Sequence, residues 1–100
     1  MSAPCYIGDE ASAAGFRLAG AQVLVPRVGE EAAALAAARI GAALILVSAE
    51  TAARIPADLL EQAHAALTPL TLIVPDLFER IPVPDLAARL RRELGLEETR

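Results

Sequence analysis

Four short apolar runs punctuate the chain, each followed by a turn-forming residue. Ala3–Ile7 stops at Gly8, Ala21–Val25 at Pro26, Ala43–Val47 at Ser48 and Leu70–Val74 at Pro75. The last three are near-continuous Val/Ile/Leu runs without alternation, the pattern of strands buried on both faces. Two of them end in proline, which lacks a backbone donor and suits a strand terminus. Between the runs the period lengthens. Glu10–Ala19 is compatible with a helix whose C-cap is Gly20. Glu30–Ile40 places Ala32, Leu35, Ala36 and Ile40 on one stripe, with Glu30 and Glu31 at its positive end and Gly41 just past its stop. Pro56–Leu67 sets Leu59, Leu60, Ala63 and Leu67 on one face, with Pro56 in the first turn. Pro84–Leu94 repeats Leu86, Leu90 and Leu94 at spacing four, and Gly95 ends it.

Strands alternating with helices at this spacing predict βαβ units joined by right-handed crossovers. The fold class is α/β: a small three-layer sandwich on a four-stranded parallel sheet, flavodoxin-like, in the order 2-1-3-4, with a C-terminal helix. Pro75, Pro82 and Pro84 interrupt the pattern from Asp76 to Pro84. Residues before proline are pushed out of the helical region, so this stretch is expected to be extended or turn-like. It separates an α/β core over residues 1–76 from a proline-bearing linker and last helix over 77–100, within one domain, and would let that helix swing away from the sheet.

Composition narrows the classes. At 100 residues and 55% hydrophobic, with mean hydropathy +0.44, the chain forms a core and is not intrinsically disordered. The longest apolar stretch, Ile40–Ala49, is about half a membrane span, so direct membrane insertion is not expected. No charged segment leads into an apolar one near Met1, and the single Cys5 cannot pair internally; a reducing, cytoplasmic compartment is expected. Nine arginines and no lysine face thirteen acids, for a net charge of −4 and a pI near 4.9. Nucleic acid is therefore a poor partner. Without lysine there is no Schiff base, P-loop lysine or lysine general base.

Ligands of open α/β sheets bind beyond the carboxyl ends of the strands, here Gly8-Asp9-Glu10, Pro26-Arg27, Ser48-Ala49-Glu50 and Pro75-Asp76. A phospho-receiver needs an acidic pair after the first strand, an aspartate ending the third and a lysine. Asp9 and Glu10 meet the first requirement, but Ser48 occupies the acceptor position and lysine is absent. The first turn has neither GxGxxG nor GxxxxGK spacing, and its two carboxylates would repel a pyrophosphate. Asp9 instead suits the N-cap of the first helix, and Glu10 complements its positive end. His64 reads as a solvated helix residue and Cys5 as a small hydrophobe in the first strand. No catalytic, cofactor or metal constellation emerges, and a non-enzymatic protein is expected.

The last helix joins its leucine stripe to Arg89, Arg91 and Arg92. Asp85 and Glu93, four residues either side of Arg89, can pair with it. Two readings stand: a helix packed on the sheet with a solvated basic face, or one that lays Leu90, Leu94 and the arginines along a partner helix.

The segment Ile7-Gly8-Asp9-Glu10-Ala11-Ser12-Ala13-Ala14-Gly15-Phe16-Arg17-Leu18-Ala19-Gly20-Ala21 resembles the N-terminal signature of the F subunit of V/A-type ATPases. Leu44–Ser48, Leu72-Ile73-Val74-Pro75 and the charged last helix continue the likeness across essentially the whole chain. The resemblance implies a non-catalytic rotor component of the central stalk. Such a component sits on the coiled-coil shaft (the D subunit), and through it meets the catalytic A/B hexamer and the membrane rotor adaptor. It helps couple ATP turnover to H⁺ or Na⁺ movement, from a cytoplasmic position peripheral to the membrane. Gly8, Asp9, Glu10, Gly15, Phe16, Leu18 and Gly20 form the fold signature: the small Gly15 and Gly20 let the first helix approach the sheet while Phe16 and Leu18 fill the layer. Arg17, Arg27, Arg89, Leu90, Arg91, Arg92 and Leu94 are the candidate partner contacts. The alternatives are a flavodoxin-like small-ligand or signalling module and a self-associating domain using its sheet edges.

Overall fold

A computed structural model describes residues 3–75 and 82–94, with side chains as far as Arg92. The elements run β1 (Cys5–Ile7), α1 (Glu10–Leu18), β2 (Gln22–Leu24), α2 (Glu31–Gly41), β3 (Leu44–Ser48), α3 (Ala49–Ala53), α4 (Ala57–Ala65), β4 (Leu70–Val74) and α5 (Val83–Leu94). The four strands form a parallel sheet in the order β2-β1-β3-β4, as the sequence predicts. Register aligns Tyr6 with Val23 and Leu46, and Leu46 with Leu72. Because successive side chains alternate faces, the sheet carries two separate cores. Cys5, Ile7, Ile45 and Val47 pack with Leu35, Ala38, Ala52, Ile55 and Ala63 of the α2–α4 layer. Tyr6, Leu46 and Val74 pack with Ala13, Phe16, Leu86 and Leu90 of the α1–α5 layer.

Local chemistry explains the clearest boundaries. Asp9 Oδ2 accepts from the Ser12 N–H at 3.1 Å and caps α1. The same helix closes on Gly20 at φ 106°: Ala21 N–H donates to the Phe16 carbonyl and Gly20 N–H to that of Arg17, a Schellman ending. Ser48 Oγ accepts from the Thr51 N–H at 3.1 Å and starts α3, a short helix the periodicity did not predict.

Several expectations need correction. In α2 the buried positions are Glu31, Leu35 and Ala38, not the stripe Ala32, Leu35, Ala36, Ile40; Ile40 is 90% exposed. Residues 32 to 38 read AAALAAA, so apolar periodicity cannot fix the helix azimuth, and Leu35 is common to both solutions. Gly41 is the last helical residue rather than the one past the stop. The helix from Pro56 ends at Ala65, leaving Leu67 exposed, and only Leu60 and Ala63 turn inward. The apolar runs are not all buried on both faces: β2 and β4 are edges, and Leu70, Leu72 and Ile73 are about half exposed. Val83 already opens α5, with the Leu86 N–H bonded to the Pro82 carbonyl, because Pro84 falls in the first turn, where no donor is needed. The rest of the expected extended stretch, 76–81, and the stop at Gly95 lie outside the described residues.

Candidate functional site

In this topology the strand C-termini form one face, and two of the polar groups there that the sequence singles out, Asp9 and Ser48, have internal tasks. The Gly8 N–H donates to the Leu24 carbonyl at 3.1 Å and ties the end of β1 to β2. Asp9 divides its carboxylate between the cap and the Tyr6 hydroxyl, which donates to Oδ1 at 3.4 Å. Tyr6, 1% exposed, stacks on Phe16 with centroids 4.0 Å apart. The side chains of Ser48 and Thr51 bond each other at 2.8 Å in a buried position, so the residue at the phospho-acceptor place is a helix cap. Burial pushes the Cys5 thiol above its ordinary pKa, keeping it protonated and a poor nucleophile. Among the described residues no group of three His, Cys, Asp or Glu is placed to hold a metal. Two shallow grooves of about 360 Å³ each flank β2 and α2, with aliphatic walls that include Leu24, Ala37 and Ala38; Glu30 is the charged lining residue.

The candidate contacts fall in two places. Arg27 belongs to the turn after β2, at the strand-end face, and is exposed. Arg17 lies at the far end of α1, exposed and 3.7 Å from Glu10. Arg91 reaches the same end and donates from its guanidinium to the Leu18 carbonyl at 2.9 Å. Arg89 and Arg92 are exposed on α5. Leu90, however, is 3% exposed within the α1–α5 core, so with α5 docked it is a core residue and not a partner contact. Leu86 and Leu90 of the leucine stripe are satisfied by the chain's own α1 and sheet. Leu94's side chain lies outside the described residues.

The signature residues behave unevenly. Phe16 fills the layer, whereas Leu18 is 55% exposed. Gly15 serves helix–helix contact: a Cβ there would sit 2.8 Å from Leu86 Cγ, so its absence lets α5, rather than the sheet, come close to α1. Glu31 escaped sequence reasoning. It is 3% exposed, its Oε1 accepts from the Gly29 N–H at 2.8 Å, and Arg54 stands 3.9 Å from its Oε2. Glu30-Glu31 reads as a solvated pair at a helix start, and nothing in the string says which one turns inward.

A model of the ATP synthase (F/14-kDa) subunit family matches residues 5–90. The chain belongs to that family. Neither the curated proteins nor the solved structures contain a match. The F-subunit match runs from the start of β1 to Leu90, so it takes in the capped first turn, the Gly15–Leu86 contact and both cores, while Arg91 and Arg92 lie just past it. An F subunit is an accessory component of an ATP synthase or ATPase complex. No helix among the described residues is long and apolar enough to cross a membrane.

Proposed function

We propose that this F-family chain is a non-catalytic rotor component of the central stalk of a V/A-type ATPase or ATP synthase, on the cytoplasmic side. It binds the coiled-coil shaft, the D subunit, and through it transmits state between the A/B hexamer and the membrane rotor adaptor during H⁺ or Na⁺ transport. The observation that carries this reading is the strand-end face, where Asp9, Ser48 and Glu31 are committed to internal bonds and the groove beside the end of β2 is mainly aliphatic, with Glu30 its charged lining residue. Among the described residues, a face whose buried polar groups are taken up in caps and turns is suited to serve by contact.

The placement of the arginines favours a long partner. Arg17 precedes β2 and Arg27 follows it, so the two lie toward opposite ends of this edge strand. A rod lying along the β2 edge would reach both. A rotor attachment must resist slipping, which calls for an interface above about 1,000 Å². Charge reversal at both sites, Arg17→Glu with Arg27→Glu, is expected to weaken the shaft complex at least tenfold (about 1.4 kcal/mol), while loss of the exposed Arg17–Glu10 pair costs folding stability no more than about 1 kcal/mol. Unchanged affinity in a titration with the shaft protein would reject this placement of the interface.

A further inference from the structure

Among the described residues Glu31 is the buried charged side chain, and its surroundings compensate it incompletely. An ionised carboxylate removed from water is costly unless paired. Here the Gly29 N–H, the Arg54 guanidinium 3.9 Å away and the positive end of α2 offset that cost, yet Oε2 accepts no hydrogen bond. A packed apolar residue of equal volume commonly serves stability as well as such a pair. The carboxylate does something an apolar residue cannot: it fixes a turn. The Glu30 N–H donates to the Arg27 carbonyl at 2.9 Å, and Gly29 at φ 95° takes the third position that type II turns reserve for glycine. Space around the missing Gly29 Cβ is open, so the turn stands clear of the body of the protein. At its corner Val28 is 80% exposed beside the exposed Arg27.

We propose that Glu31 is a positioning residue for partner recognition, its carboxylate holding the Arg27–Glu30 turn so that Arg27 and Val28 meet the partner preorganised. The inference rests on the shaft-binding reading above. Ordering a free turn at the moment of binding costs affinity that a held turn has already spared.

The test compares wild type, Glu31→Gln and Glu31→Met, as full chains, in thermal unfolding and in affinity for the long coiled-coil protein of the same complex. The Gln amide oxygen still accepts from Gly29, so that variant is expected to bind within about twofold of wild type. The Met variant is expected to melt near wild type and bind about tenfold more weakly. Adding Arg27→Ala should then cost less affinity in the Met background than in wild type, because the two act through one turn. Equal binding by the Met variant, or equal losses in Gln and Met, overturns the proposal. If the Met variant does not fold, the surface pair Arg27→Glu and Val28→Asp decides: undiminished binding overturns it, and a tenfold loss with the melting temperature intact supports it. Wild type that fails to bind the coiled coil refutes the shaft reading itself, before any substitution is made.

Discussion

At the residue scale, the contact between Gly15 and Leu86 is the most sensitive point of the α1–α5 layer. Gly15→Ala raises helix propensity by roughly 0.5–1 kcal/mol, but its methyl group meets Leu86 Cγ at 2.8 Å. Crowding of that kind costs about 1–3 kcal/mol, so a net loss is expected in thermal or urea unfolding, and shortening the partner in Gly15→Ala/Leu86→Ala should return part of it. Asp9→Ala removes the α1 cap and is expected to cost about 0.5–2 kcal/mol by the same measurement. Cys5 gives a pH prediction. Its pKa in the folded chain is raised from an ordinary 9.0 by burial, so the unfolded chain releases its proton first. Stability is thus unaffected by this group below about pH 9 and falls as pH rises above it. Ultraviolet thiolate absorbance should stay flat through pH 9 in the folded protein and appear there in denaturant. Thiolate in the folded chain at that pH would mean the residue is not buried as described.

At the scale of elements, α5 is fixed to α1 by Leu86, Leu90 and the Arg91 bond to the Leu18 carbonyl. Arg91→Ala is expected to lose no more than about 1 kcal/mol, since this bond is exposed, whereas Leu86→Ala should lose about 2–5. The azimuth of α2 has its own check: Ile40→Lys should lie within about 0.5 kcal/mol of wild type, because the side chain already faces water. That helix also shows where sequence reading stops. The strands, their order and the capped α1 are legible because Val/Ile/Leu runs, glycine and aspartate have few alternative uses. The alanine-rich α2 is not, since seven consecutive apolar residues leave its buried side undetermined. Leu90 fails for a related reason: an apolar stripe looks the same whether it faces its own sheet or another chain.

For the whole molecule, the topology separates two kinds of work. The sheet and its two cores bury Tyr6, Phe16, Ile7, Ile45, Val47 and Leu86, and the strand ends, where this architecture usually keeps its chemistry, hold caps and turns. The arginines of the candidate site were legible as residues but not as a geometry; only the fold shows Arg17 and Arg27 at opposite ends of β2 and Glu31 beneath the turn between β2 and α2. The proposal makes this F-family chain a shaped, non-catalytic body on a larger machine. Light scattering on the protein mixed with the proposed coiled-coil shaft subunit tests that most directly. A stable complex of one copy of each is predicted, with no change of melting temperature on adding nucleotide or acyl phosphate to the isolated chain. Two independent peaks at micromolar concentrations, together with a nucleotide-dependent rise in melting temperature, would contradict it.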